Sequence, residues 1–295
     1  MERLSFIRIL SQAKRYVLEF RYRNFPVVFG LIVVLFIFTA VFGEFLAPYS
    51  PTQVSLTEKF LPPFFLADGT WAHPLGTDHL GRDMLSRIMV GSRPSLMVAL
   101  AVVFLGGVGG STIGMISGYA AGKTDIVIMR AADSTMAFPI ILMAMLLSSV
   151  LGASTQNVIV AITLIAWARY ARVVRGEVLS VKERDFVRLA RVAGVSGSKI
   201  VLHHIFPNVL HTVLVMLTLQ IGMVIMVEAS LSFLGLGVPP PAPVWGGLIA
   251  AGREYIRTAW WITVFPGAFL ALVVLSFNML GDWLREVMDP KLRQA

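Results

Sequence analysis

Few side chains in this sequence are suited to chemistry. It contains no cysteine, which excludes thiolate metal sites, iron–sulfur clusters and cysteine nucleophiles. His203, His204 and His211 form a histidine cluster, but adjacent histidines point to different faces and no carboxylate lies nearby to complete a metal site. Segment 117–124 approaches a phosphate-binding loop, yet Ser117 replaces the first glycine and an apolar helix precedes it where that loop needs a strand. We therefore expect no catalytic residue, no metal site and no nucleotide site.

Glu228 is the most conspicuous ionisable residue, because it lies about two turns inside an apolar stretch, Val209–Gly237. A carboxyl group at such depth is costly unless it faces a pathway or a hydrogen-bonding partner. Both interpretations stay open: a residue of a translocation pathway, or a carboxyl bonded to a neighbouring helix. Met223 and Met226 are weaker pathway candidates, since methionine also fills apolar helix faces. A single isolated acid makes a poor ion relay, so an ion-coupled secondary transporter is the lesser hypothesis.

The elements that position these residues are predicted to be membrane helices. The chain has 295 residues, of which 56% are hydrophobic and 14% are charged, about half the charge of a soluble domain. A span needs roughly 20 apolar residues, and Pro139 and Pro266 should kink the helices that contain them. The fourth predicted span has a weaker apolar signal than the others, because it reaches the required length only by including turns that contain Arg169 and Arg172. The predicted spans are Phe25–Leu46, Pro94–Ala121, Ala131–Leu151, Ser154–Val174, Val209–Gly237 and Trp260–Gly281.

The basic residues orient these spans. Most of the 25 Lys and Arg residues fall on one side if both termini are cytoplasmic, as the positive-inside rule requires. They are scattered between spans, which predicts contact with anionic lipid and no nucleic acid, and residues 5–20 suggest either an interfacial helix or a solvated basic leader. The predicted division is a cytoplasmic segment 1–24, an anchor 25–46, an extracytoplasmic segment 47–93, a core 94–281 with a cytoplasmic loop about 175–208, and a cytoplasmic tail 282–295.

A glycine stripe runs through the second span. Glycines every four residues form one face of a helix, and small residues at this spacing allow two helix backbones to approach closely in lipid. We predict that this face packs against another helix. The residues concerned are Gly106, Gly110, Gly114 and Gly118.

The long basic loop near the middle of the chain is predicted to carry a short amphipathic helix. Phe186, Leu189, Ala190 and Ala193 recur at three- and four-residue spacings, and Gly194 should end the helix. A second short helix should run from Ser196 or Ser198 to Ile205, before Pro207. The first helix would offer an apolar face rimmed by arginine to a cytoplasmic partner, or it would lie on anionic lipid.

At this loop the sequence resembles the membrane subunits of ATP-binding cassette importers. Their cytoplasmic EAA loop reads E-A-A, three residues, G, nine residues, I-x-L-P. The spacing is intact here, while the first two EAA letters and the I and L letters are changed. Either Asp185 or Glu183 would have to substitute for the family's glutamate, or the contact is apolar. The matching residues are Arg188, Leu189, Ala190, Gly194, His204, Ile205, Phe206 and Pro207.

Further blocks resemble the C-type permease of the dipeptide, oligopeptide and nickel importers within that family. They are His73–Asp83, Ala229–Gly237, Trp245–Gly247 and Phe277–Asp282. The resemblance implies an all-α integral membrane protein, a type I importer permease with six membrane helices and both termini cytoplasmic, in the bacterial inner membrane. It implies as partners a second, B-type permease, two cytoplasmic ATPases that bind the ATP and magnesium, and an extracytoplasmic solute-binding protein.

The resemblance also implies what the loop and the external segment do. The loop helix would dock on an ATPase through Asp185, Arg188, Leu189, Ala190, Gly194, Ile205 and Pro207. Segment 47–93 is either a docking surface for the binding protein or ordinary loop. A short peptide is the expected solute, with nickel or another small solute as the alternative. A structural membrane scaffold is a further hypothesis, and the loop shaped for a partner argues against it.

Overall fold

The computed structural model of the chain describes residues 25–288, and within them the architecture is helical. The prediction for residues 5–20 lies outside the described part. Short 3₁₀ turns occur at Leu56–Glu58 and Arg253–Tyr255, and a π-helical turn at Val201–Ile205. The helices are α1 Val27–Leu46, α2 Met84–Ala120, α3 Gly122–Met136, α4 Ile140–Leu151, α5 Thr155–Lys182, α6 Asp185–Val192, α7 Gly197–Ile200, α8 Phe206–Phe233, α9 Trp245–Gly252 and α10 Trp261–Met288.

The helices confirm an all-α membrane fold. Within residues 25–288, α1, α2, α5, the continuous α7–α8 segment and α10 are each long and apolar enough to cross a bilayer. The weaker fourth stretch is among them, since α5 continues unbroken through Arg169 and Arg172 to Lys182. Helices α3 and α4 provide a sixth candidate only as a pair, bent by 87°.

The third span therefore differs from the single helix predicted over Ala131–Leu151. Helix α3 ends at Met136 and α4 begins after Pro139, because proline has no N–H to donate and restricts the residue before it to extended conformations. The predicted kink at Pro139 is thus a complete break. Pro266, in contrast, lies near the start of α10, which passes through it as one helix.

The fifth span also begins earlier than predicted. The helix predicted to stop at Ile205 instead continues through the π-helical turn into α8. Pro207 is the second residue of α8, directly after the π-helical turn, and the Phe206 N–H donates to the carbonyl of Val201. The α7–α8 segment thus forms one stretch, Gly197–Phe233.

Helices α2 and α5 approach each other along the glycine stripe. A Cβ placed on Gly110 would lie 2.4 Å from the carbonyl oxygen of Trp167, and one on Gly114 would lie 2.5 Å from that of Ala171. Gly106 and Gly118 face the same helix, at Ala166 and Val178. The two backbones are therefore in contact along several turns.

Two buried clusters fill the interior. The larger joins α1, α2, α4, α5, α8, α9 and α10. The smaller, termed here the cytoplasmic cluster, joins the lower ends of α5 and α8 to the loop between them, and its buried members are Val174, Val178, Val181, Val187, Ile200, Ile205, Val209 and Val213.

Candidate functional site

Helix α6 is the short helix predicted in the basic loop, and its end is fixed by glycine. Gly194 has φ +79°, a left-handed conformation that glycine adopts without penalty. The Val195 N–H donates to the carbonyl of Ala190 at 3.1 Å, and the Gly194 N–H donates to that of Arg191 at 3.1 Å. These two bonds form a Schellman motif, which ends the helix where the sequence predicts.

The two sides of α6 differ from the predicted pattern. Val187 is the fully buried residue of the helix and packs into the cytoplasmic cluster with half-buried Ala190. Leu189 and Val192 are 68% and 87% exposed, and Phe186 is 39% exposed. Residues Phe186, Leu189 and Val192 form what we call the outer face of α6. Ala190, predicted to belong to the apolar docking face, instead contributes to the inner side.

Charges surround this outer face. Arg188, at the position of the family's glutamate, donates from its guanidinium to Glu183 Oε2 at 2.7 Å, and both side chains are exposed. This hydrogen bond lowers the pKa of Glu183 below its usual range and raises that of Arg188. Asp185 is exposed at the first turn of α6. The structure therefore places an exposed ion pair at the position where the importer loop that this sequence resembles has glutamate.

Of the remaining predicted loop residues, two lie on the surface and one lies in the interior. Gly194 and Pro207 are exposed, whereas Ile205 is 0% exposed inside the cytoplasmic cluster. Ile205 therefore has no surface to offer a docking partner, because the π-helical turn directs it inward. Its position supports the loop from within.

Glu228 lies between helices. It is 0% exposed, and the hydroxyl groups of Ser95 in α2 and Ser232 in α8 donate to its carboxyl oxygens at 2.9 Å and 2.7 Å. Met226 is 57% exposed on another side of α8, and half-buried Met223 contacts Arg169. The structure does not bring the three predicted pathway residues together, and Glu228 occupies the hydrogen-bonded position of the second interpretation.

The external segment holds polar residues in its interior that sequence reasoning missed. Asp83 caps α2 by accepting from the Ser86 N–H at 2.7 Å, and the same carboxylate lies 2.9 Å from His73 Nδ1. The Arg87 guanidinium donates to the carbonyl of Pro51 at 2.8 Å. These groups, with Thr77 and Asp78, are buried and form what we call the external knot. Their side chains hold the segment together and are not available as a docking surface.

The external knot is also joined to the last span. The Trp261 indole N–H of α10 donates to the carbonyl of Thr77 at 3.0 Å. Gly81 has φ +72°, and a Cβ there would lie 1.8 Å from the Ser55 oxygen, so glycine is required by both conformation and space. Nearby, burial lowers the pKa of His79, whose Nδ1 atom has no hydrogen-bond partner within residues 25–288.

A cavity of about 120 Å³ lies at the break between α3 and α4. Met136, Phe138 and Ile140 line it from the break, Arg169 from α5 and Gln220 from α8. Sequence reasoning passed over Arg169 and Gln220, because the first was assigned to a cytoplasmic helix end and the second to an apolar span. The one available signal was the presence of two strongly polar side chains within stretches otherwise suited to lipid.

Comparisons with known proteins identify families and relatives of this chain among membrane transport proteins. Residues 110–294 match the family described as "Binding-protein-dependent transport system inner membrane component", and residues 11–63 match the "N-terminal TM domain of oligopeptide transport permease C". The chain is 41% identical over 273 residues to the dipeptide transport system permease protein DppC of Escherichia coli, covering 92% of this chain and 91% of that protein.

Two further relatives cover similar lengths. The di/tripeptide transport system permease protein DppC of Pseudomonas aeruginosa is 37% identical over 265 residues, 90% of this chain and 88% of the relative. The probable D,D-dipeptide transport system permease protein DdpC of Escherichia coli is 37% identical over 262 residues, 89% of this chain and 86% of the relative.

Proposed function

We propose, from the premise that this chain belongs to the family of binding-protein-dependent transport system inner membrane components, that its solute is a short peptide. The chain is a permease subunit of an ATP-binding cassette importer in the bacterial inner membrane, a transport component rather than an enzyme. The observation that carries the peptide assignment is similarity along about nine-tenths of both chains to permeases named for dipeptides and for di- and tripeptides.

The family implies a partner permease, ATPases and a solute-binding protein. We propose that these are a B-type permease related to this chain, two cytoplasmic ATPase subunits that bind ATP and magnesium, and a peptide-binding protein outside the membrane. No cofactor is assigned to this chain. Binding of ATP would close the two ATPases and rotate the permeases against each other, since an interface can switch between two packed arrangements.

The coupling contact in this proposal is the outer face of α6. Exposed Leu189 and Val192 supply apolar area to a groove on an ATPase, with Arg188 and Arg191 at its rim. Val187, on the inner side, packs with residues of α5 and α8 in the cytoplasmic cluster. A displacement of α6 would therefore be passed to two membrane spans through close-packed side chains, which deform little.

The experiment is uptake of a radiolabelled dipeptide by proteoliposomes that contain the assembled importer and its binding protein. ATP-dependent uptake that requires the binding protein is the expected result. Uptake of nickel but no peptide under the same conditions would contradict the peptide assignment. Copurification of a stable homo-oligomer without any ATPase would contradict the proposed partners.

Two variants of one residue test the coupling contact. Leu189→Asp should abolish ATPase copurification or uptake, because a carboxylate would be buried in an apolar groove. Leu189→Met keeps the apolar character of the side chain and should retain both. If Leu189→Asp supports normal uptake, the outer face of α6 is not the ATPase contact.

A further inference from the structure

Three arginines follow each other at three-residue spacing on α5, and two of them have acidic partners on α3. Arg175 donates to both carboxylate oxygens of Asp125, at 2.5 Å and 2.6 Å, and Arg172 pairs with Asp133. Helix α3 ends at Met136, which lines the same cavity as the third arginine but offers it no acid. That arginine, Arg169, has no acidic partner within residues 25–288.

The Arg169 side chain is exposed in the described part of the chain, and protein groups there satisfy its guanidinium poorly. Its one hydrogen bond within residues 25–288 goes to the thioether sulfur of Met223, at 3.0 Å, and a thioether is a weak acceptor. At 1.5 Å per residue, Arg169 lies about 21 Å along α5 from the external end at Thr155. With Thr155 at the outer boundary of the apolar interior of a bilayer, which is about 30 Å thick, the Cα atom of Arg169 lies within it. An unpaired charge at this depth indicates a functional site.

Gln220 provides an independent observation at the same depth. It lies about 20 Å along α8 from the external end of that helix at Phe233. The side chain is 7% exposed, lines the same cavity as Arg169 and makes no hydrogen bond in the described part of the chain. Its amide atoms are not fully enclosed, so they can reach a partner in the cavity. The cavity is thus lined by two N–H donors, of which Arg169 has only a thioether acceptor and Gln220 has none within residues 25–288.

The wall of the cavity adds a third feature. Ile140, the first residue of the twelve-residue helix α4, lies in this wall. The N-terminal end of a helix carries partial positive charge from its unpaired N–H groups. A guanidinium, an amide and a helix N-terminus therefore surround a space of about 120 Å³.

We propose that this cavity binds the carboxylate of the transported peptide during passage, with Arg169 and Gln220 as its donors. The proposal rests on the peptide function proposed above. A guanidinium presents parallel N–H groups that match a carboxylate, and the Gln220 amide supplies a further donor. An acid on the partner permease would satisfy Arg169 alone, whereas a small carboxylate entering the cavity reaches buried Gln220 as well.

The test uses the complete importer in proteoliposomes, with a radiolabelled dipeptide as the probe. Arg169→Gln should lower uptake about tenfold, the equivalent of one charge-assisted hydrogen bond. Arg169→Lys, which keeps the charge but not the planar fork, should give an intermediate rate. Lys123→Gln, which removes an exposed positive charge outside the cavity, is the matched control and should transport normally. ATP hydrolysis stimulated by the loaded binding protein should persist in all three variants.

Gln220→Glu tests the site without removing Arg169. The new carboxylate would pair with the guanidinium and occupy the cavity, so uptake should be lost while the complex assembles normally. Normal uptake by Gln220→Glu or by Arg169→Gln would overturn the proposal. Loss of the partner permease from Arg169→Gln would overturn it too, because Arg169 would then pair with that subunit. If the unaltered importer does not take up the dipeptide, the peptide function itself fails, a result distinct from failure of the variants alone.

Discussion

Replacing Gly110 by alanine should force α2 and α5 apart. The added Cβ would lie 2.4 Å from the Trp167 carbonyl oxygen and 2.9 Å from the Tyr170 Cβ. The first distance is about 1 Å shorter than ordinary van der Waals contact. The obstructing oxygen is backbone and cannot move as a flexible side chain would, so the helices themselves must separate.

The magnitude follows from overpacking, which costs about 1–3 kcal/mol in a close-packed interior. Gly109 is the matched control, because a Cβ there meets nothing within 4 Å. Alanine at Gly109 should be neutral or stabilise the helix by up to about 1 kcal/mol, the difference in helix propensity. The two adjacent single-methyl variants should therefore differ by about 1–4 kcal/mol in free energy of unfolding.

The assay is denaturant-induced unfolding of the purified chain in mixed detergent micelles, followed by tryptophan fluorescence. Gly110→Ala should unfold at a lower denaturant concentration than the unaltered chain, and Gly109→Ala at the same or a higher one. Equal midpoints for the two variants would refute the close approach of α2 and α5. A lower midpoint for Gly109→Ala than for Gly110→Ala would show that the stripe faces elsewhere.

Three further changes test other parts of the chain. Glu228→Gln should leave abundance and uptake close to normal, because the amide can still exchange hydrogen bonds with Ser95 and Ser232, whereas Glu228→Ala should reduce the folded yield by leaving both hydroxyls unpaired. The free energy of unfolding should fall as pH drops below about 6.5, the ordinary pKa of histidine. Burial lowers the pKa of His79 in the folded chain, so the unfolded chain binds more protons in this range. Thermal unfolding at pH 7.5 and pH 5.0 measures the difference. Gly194→Val should impair ATPase coupling, because valine is strained at φ +79°, while Gly194→Asn should retain it.

Each of these changes has its own control. Retained yield in Glu228→Ala would show that the carboxyl is not needed between α2 and α8. His79→Gln should flatten the pH dependence, and an unaltered pH profile in that variant would assign the effect to another group. Normal uptake with Gly194→Val would mean that the end of α6 is not needed for coupling.

The long apolar runs made most membrane helices predictable, but they did not predict the structure of the third span. Asp125 lies outside the predicted third span and Asp133 lies in its first turn at the cytoplasmic end, because charges in lipid are costly. Their partners, Arg175 and Arg172, come 50 and 39 residues later, so no local pattern identifies the pairing. Once paired, these acids can lie on a helix, and α3 extends back to Gly122.

The sequence predicted the position of helix α6 along the chain, but not which of its sides faces the interior. Spacing alone located α6 and its end at Gly194, but an eight-residue helix with apolar residues on both sides does not reveal that Val187 is inside and Val192 outside. The burial of polar residues in the external knot was not predicted, for a related reason. Histidine, aspartate and arginine suggest surface, and only their mutual hydrogen bonds, formed after folding, allow His73 and Asp83 to be buried.

The length of α2 has a mechanical consequence. Its 37 residues make a rod of about 55 Å, well beyond the roughly 30 Å of hydrocarbon that it crosses. The external knot clamps its first turn through Asp83, and Tyr119 in its last turn rests on the cytoplasmic cluster. Backbone contact at Gly106, Gly110, Gly114 and Gly118 ties the part of α2 that follows Pro94 to α5. A displacement of this part is therefore shared by the two helices and reaches the cytoplasmic cluster beneath α6 through Tyr119.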